Sequence, residues 1–147
     1  MKINANYFSF NTFFSRVRYF LKQGNLAEHL KDRFIWHIFP RLHIVSGFPK
    51  HIDIEISGSC QLNCPMCSRE AMNAETGLMD FGVYEHIINQ ARNLGVYSIK
   101  LSWRGEPLLH PRFFDMVKLA KDMGIKDVSF LTNLGPLKKE DVSKLVD

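Results

Sequence analysis

Between His51 and Ser57 the chain alternates Ile52, Ile54 and Ile56 with Asp53, Glu55 and Ser57, the two-residue period of a strand with one apolar face. From Phe81 the period lengthens to that of a helix. Tyr84, Ile87, Ile88, Ala91 and Leu94 fall on one side, with Asp80 placed to cap the start and Gly95 to stop the end. The run VYSIKLSW predicts a second strand, and a second helix follows from Pro111 to Met123, with proline at its start and Gly124 after its end. DVSFLTN predicts a third strand, and KKEDVSKLVD begins a third helix. The order βαβαβα implies right-handed crossovers and a parallel sheet with helices outside, either an open doubly wound sheet or part of a barrel. Both architectures place chemistry at the C-terminal ends of the strands. Three loops of unusual composition fall there: SCQLNCPMCSRE after the first strand, RGEP after the second and TNLG after the third.

Upstream the texture differs. Residues 1–48 form an aromatic, basic extension, with Phe10, Phe13, Phe14, Val17, Tyr19, Phe20 and Leu21 spaced for one or two amphipathic helices, broken near Gly24-Asn25 and ended by Pro40. The α/β pattern occupies residues 49–147. The first 50 residues carry eight Lys/Arg against two Asp/Glu, a net +6, whereas residues 51–147 carry eleven against thirteen, a net −2. The basic character is therefore local. Two readings of the extension stay open: an apolar stripe packed on the main domain, or a basic aromatic helix in peripheral contact with a membrane surface or partner. No apolar run approaches the roughly 20 residues of a spanning helix, and Arg16, Arg18 and Lys22 interrupt the aromatic stretch, unlike a signal peptide.

All three cysteines, Cys60, Cys64 and Cys67, lie within eight positions as C-x3-C-x2-C. An odd number so closely packed cannot staple distant parts of a fold, and it points to metal binding in a reducing, cytoplasmic setting. Structural zinc closes a tetrahedron with four protein ligands, for which His51, His86 or His110 would have to supply the fourth. A cubane iron-sulfur cluster held by three thiolates instead leaves one iron open to a non-protein ligand. The six histidines form no H-E-x-x-H pattern and no phosphate-binding glycine loop is present, so hydrolase and nucleotide-loop chemistry have little support. The alternative from another class is a non-catalytic zinc-binding module whose basic N-terminus contacts nucleic acid or a membrane.

C-x3-C-x2-C after a first strand, with RGEP after the second, resembles the radical S-adenosylmethionine (SAM) superfamily. The resemblance covers residues 50–147 and implies the N-terminal half, three βα units, of a partial (β/α)6 TIM-like barrel. It further implies that Cys60, Cys64 and Cys67 ligate a [4Fe-4S] cluster, whose open iron is chelated by SAM. Reductive cleavage of SAM would then give a 5′-deoxyadenosyl radical that abstracts hydrogen from a substrate.

Residue by residue, Met66 stands where the family often has an aromatic residue beside the adenine. Gly105, Glu106 and Pro107 match the end of the family's G-G-E-P motif, with Arg104 in the first Gly position and Glu106 the acceptor for the methionyl ammonium. Thr132-Asn133 looks like T-N-G, with Leu134 intervening before Gly135, and Asn133 is expected to face the pocket. Alternation on the first strand turns Glu55 toward the barrel interior, either to touch substrate or to pair with Lys100. Arg69 is expected to be solvated and His110 to start a helix.

The sequence is most similar to the branch that modifies peptides, matures other enzymes or oxidises small precursors, commonly with a cysteine-rich SPASM-type C-terminal domain. That implies a peptide or small-molecule substrate, an electron donor such as a reductase, flavodoxin or ferredoxin, and no nucleic acid. Three βα units against the family's six imply either a fragment or a truncated, inactive product, and the sheet edge that three parallel strands expose favours the fragment.

Overall fold

A computed structural model of the protein describes residues 26–69, 71–72 and 76–146. The predicted alternation appears as three parallel strands, β1 (His51–Asp53), β2 (Ser98–Lys100) and β3 (Asp127–Ser129), in spatial order β1-β2-β3. The register pairs Ile52 with Ile99 and Ile99 with Val128, so the branched residues form one row across the sheet. Each strand thus lies beside its predecessor. With right-handed crossovers, that order puts the connecting helices on one face, which is the winding of a barrel rather than of a doubly wound sheet.

Each ladder is shorter than its alternating sequence. Ile54 N–H still donates to Lys100 C=O at 2.8 Å and Leu101 N–H to Ser129 C=O at 2.9 Å. Beyond that point the first segment changes partners: Ile56 C=O accepts from Met79 N–H at 3.0 Å and Gly58 N–H donates to Gly77 C=O at 2.9 Å. The upper part of the HIDIEIS run bends at Ile56 and meets the return of the cysteine loop at an isolated Ser57–Leu78 bridge.

Helices α2 (Phe81–Asn93) and α3 (Phe113–Asp122) cover the apolar face. Asp80 Oδ1 accepts from Gly82 N–H at 2.8 Å and Val83 N–H at 3.1 Å, satisfying two of the donors that a helix start leaves orphaned. Gly95 and Gly124 close the two helices with φ of +70° and +89°, the left-handed region that glycine enters without a Cβ penalty. The face expected on α2 packs through Tyr84, Ile88 and Ala91, all buried, whereas Leu94 stands beyond the last turn and is half exposed. Tyr84 Oη donates to Met116 C=O at 3.0 Å, joining α2 to α3, and burial raises its pKa. The second helix begins at Phe113 rather than Pro111, because residues 107–109 form a separate 3-10 turn that His110 closes.

On the opposite face the side chains are polar. Asp53 accepts from Lys100 Nζ at 2.9 Å and sits 2.8 Å from His51 Nε2. Burial acts to raise the Asp53 pKa, but the hydrogen bonds from Lys100 and His51 outweigh it and hold the carboxyl low.

Helix α1 (Leu26–Ile38) precedes the sheet and ends before Pro40, as the sequence predicts. It attaches by its polar side: His29 and Asp32 are buried, His29 Nδ1 lies 3.1 Å from Tyr97 Oη, and Glu28 pairs with Lys126 at 3.4 Å. Leu30 and Phe34 face outward. The positions from Phe10 to Leu21 lie outside the described residues. Among the described residues no helix is long and apolar enough to cross a membrane.

Candidate functional site

The three loops singled out by composition converge at the C-terminal rim of the sheet, and they are bonded to one another. Glu106 N–H donates to Ser59 C=O at 2.8 Å, tying RGEP to the residue before Cys60. At Gly105 an added Cβ would overlap the Ser57 carbonyl and the Gly58 backbone. Glycine is therefore required here by the close approach of two main chains, one of which carries the first cysteine.

Glu106 is 2 % exposed and bridges two loops. Oε1 accepts from Leu108 N–H at 3.0 Å and Thr132 Oγ1 at 2.6 Å, while Oε2 accepts from Asn133 N–H at 2.9 Å. It thus caps the turn that Pro107 opens and fastens TNLG to RGEP, a set of charge-assisted bonds stronger than neutral ones.

Arg104 occupies its position without needing glycine, since its φ is not among the positive values. Its side chain forms a fork with Glu55: Nε lies 3.1 Å from both carboxylate oxygens, Nη2 pairs with Oε2, and the Arg104 backbone N–H donates to Oε1 at 3.0 Å. Hydrogen bonding by this guanidinium, against the opposing push of burial, holds the Glu55 pKa below its ordinary value. Of the two readings of Glu55, the pair with Lys100 does not form. Lys100 sits one pleat further down the strand, where Asp53 is its partner, and the long Arg104 side chain folds back to reach Glu55.

The third loop reaches the first. Asn133 Oδ1 accepts from Gln61 Nε2 at 2.7 Å and from Gly135 N–H at 2.8 Å, and Asn133 Nδ2 lies 3.7 Å from Cys60 Sγ. Leu134, which separates TN from Gly135, has φ +61° and donates its N–H to Thr132 Oγ1 at 3.0 Å. It takes the left-handed conformation that a glycine would adopt immediately after the asparagine.

Cys60, Cys64 and Cys67 are free thiols, the first half-buried and the other two exposed. Cys67 N–H donates to Cys64 C=O at 2.9 Å in a tight turn, with Met66 at its tip, 87 % exposed. Among the described residues no three His, Cys, Asp or Glu side chains are gathered as closely as a metal centre requires. The donor set nevertheless suits an iron-sulfur cluster in kind: three thiols in one exposed loop, and an amide N–H already at one sulfur.

Arg69 donates to Leu62 C=O at 3.3 Å within the same loop, rather than being wholly solvated. The histidines weighed as a fourth ligand are occupied elsewhere. His51 contacts Asp53 and Ser98, His86 faces Gln90 at 3.0 Å, and buried His110 bonds Met79 C=O through Nε2 at 2.9 Å. Far from merely starting a helix, His110 also accepts Arg112 N–H at 3.1 Å and so links the α3 entry to the chain before α2. Sequence reasoning missed Gln61, because a lone amide beside a cysteine carries no pattern, and missed the Arg104–Glu55 fork, whose partners are 49 residues apart.

Comparison with known proteins gives a family match over residues 54–147, well over half of the chain, to the model described as the radical SAM superfamily. A probable GTP 3′,8-cyclase of Methanothermobacter thermautotrophicus is 34% identical over 80 residues, 54% of this chain and 26% of that protein. Among solved structures, BtrN in complex with AdoMet and 2-DOIA superposes with TM-score 0.60 at 22% identity, covering 68% of this chain and 42% of that one. Streptococcus suis SuiB bound to S-adenosylmethionine superposes with TM-score 0.58 at 25% identity, covering 89% of this chain and 31% of that one. The chain spans about a quarter of the length of the first of these relatives.

Proposed function

The chain belongs to the radical SAM superfamily, and from that premise we propose that it forms the cluster-bearing part of an enzyme that takes hydrogen from a peptide or small-molecule substrate. Membership implies a [4Fe-4S] cluster and SAM as cofactors. The observation that carries the proposal is the bonding of three strand-end loops into one rim, with Glu106 joined to both the cysteine loop and TNLG and Asn133 in reach of Cys60.

In this reading Cys60, Cys64 and Cys67 hold the cluster, and Met66, Gly105, Glu106, Pro107 and Asn133 line the cofactor's side of the rim. When bound, the cluster and SAM supply a carbon-centred radical that can take hydrogen from an unactivated carbon. The protein contributes position. Gly105 lets the RGEP backbone lie against the first loop, and Pro107 starts the turn that sets Glu106. Three of the roughly four acceptor sites of the Glu106 carboxylate are engaged by the chain itself, leaving one for the methionyl ammonium. Met66, exposed at the tip of the cysteine loop, would offer its polarizable thioether to the adenine.

The proteins it is similar to include a probable GTP 3′,8-cyclase and an enzyme bound to a precursor peptide. Both support the substrate classes proposed here, with the reducing electron arriving from a flavodoxin, ferredoxin or dedicated reductase in the cytoplasm. Anaerobic reconstitution with iron and sulfide, followed by electron paramagnetic resonance of the reduced protein, tests this reading. The expected result is a [4Fe-4S]⁺ signal that shifts on adding SAM; zinc retained by the three cysteines and no iron-sulfur signal would overturn it.

A further inference from the structure

The contacts of Asn133 define more than a place on the rim. Its Oδ1 accepts from the Gly135 backbone N–H at 2.8 Å and from Gln61 Nε2 at 2.7 Å. A backbone N–H can only donate, so it settles which amide atom is oxygen. The Nδ2 group is therefore the one aimed at Cys60 Sγ, 3.7 Å away. The main chain is held too, because Asn133 N–H donates to the buried carboxylate of Glu106 at 2.9 Å. Space for the amide pair is kept by Gly135, where an added Cβ would run into Gln61 Nε2 and Asn133 Oδ1. Cys60 is fixed from its own side by the Ser59 C=O to Glu106 N–H bond, whereas Cys64 and Cys67 are exposed.

We propose that Asn133 is a positioning residue for the cluster: its Nδ2–H donates to the sulfur of Cys60 and raises the cluster's reduction potential, with Gln61 and Gly135 holding the amide in that orientation. This rests on the reading that Cys60 is a cluster ligand. As a thiol, Cys60 also approaches Gln61 Oε1, at 3.9 Å. As a thiolate it can only accept, and the Asn133 amide is the donor placed to meet it. A hydrogen bond to a ligating sulfur stabilises the more negative, reduced cluster more than the oxidised one, and so moves the potential upward. Cys60 is thereby distinguished from the other two cysteines, which must be drawn in from solvent.

The experiment is a redox titration of the anaerobically reconstituted full chain, monitored by electron paramagnetic resonance, for the native protein, Asn133→Ala and Asn133→Asp. The expected result is a lower midpoint in both variants. For the alanine variant the ratio of reduced to oxidised cluster at a fixed potential should fall about tenfold, which is about 59 mV for one electron. Aspartate, which keeps the acceptor oxygen but replaces the donor by negative charge, should fall at least as far.

A midpoint that does not move in either variant overturns the inference while leaving the cluster intact. Should the variants fail to fold, pulsed resonance on the Asn63→Ser, Asn73→Ser chain labelled with 15N-asparagine decides the matter, since it removes the other asparagines near the cysteine loop: a weak 15N coupling to the reduced cluster supports the contact, and its absence overturns it. If the native chain takes up no cluster under these conditions, the functional reading falls first and this inference with it.

Discussion

At the scale of single residues, the rim is organised by charges whose partners lie far away in sequence. Arg104 replaces a small residue of the family pattern, and Glu55 supplies the carboxylate that accommodates it. The pair is linked to pH through Glu55. Its pKa is lower in the folded chain than the ordinary 4.5, so the unfolded chain binds the proton more readily. The stabilisation is therefore fully present above the unfolded pKa and is lost as the pH falls through the lower, folded pKa. Denaturant unfolding of the native chain and of Glu55→Gln should show a stability gap at neutral pH that closes below about pH 4. A gap independent of pH would mean that the fork contributes shape rather than charge. Arg104→Lys should retain part of the acid dependence but weaken the fork, because an ammonium cannot bind both carboxylate oxygens in the guanidinium plane.

At the scale of elements, the sequence is most readable where structure is set locally. Helix α2 was legible at both ends, since a cap and a stop act on neighbours within three or four residues. Replacing Asp80 by alanine should cost about 1 kcal/mol, read from denaturant midpoints at unchanged slope, because two N–H groups lose their acceptor. Strand lengths were less legible. Alternation predicts which residues can be extended but not which partner they find, and the upper part of HIDIEIS pairs with the returning cysteine loop instead of β2. The start of α3 was misplaced for a similar reason. Pro111 is a good first helical residue in isolation, yet the preceding 3-10 turn and the His110 contacts delay the helix to Phe113.

At the scale of the whole molecule, one face of the sheet carries the helices and the other carries ion pairs, and the three chemistry-bearing loops share one end. In the cysteine loop Cys64, Met66 and Cys67 are exposed. Drawing three sulfurs onto one cluster must tighten it. Cleavage by trypsin after Arg69, which lies in this loop, should accordingly be slower in the cluster-loaded protein, and removal of iron with a chelator should restore the faster rate. Equal cleavage rates in the two states would show that the loop does not close on the cluster. Helix α1 adds a different kind of contact, holding on through His29 and Glu28 while Leu30 and Phe34 face out.

The sequence by itself determined the order of strands and helices, the caps and stops of α2, the convergence of three loops at the strands' C-terminal ends and the family to which their motifs point. These follow from periodicity, from backbone rules at single residues and from the fixed direction of parallel strands. Only the tertiary structure decided which side chains meet. Glu55 takes Arg104 and not Lys100, Glu106 spends most of its carboxylate on the chain's own loops, Gly105 serves the approach of two backbones, and Asn133 reaches Cys60. Such choices depend on distances between residues tens of positions apart, which the pleat and register of the sheet set and no local pattern of amino acids encodes.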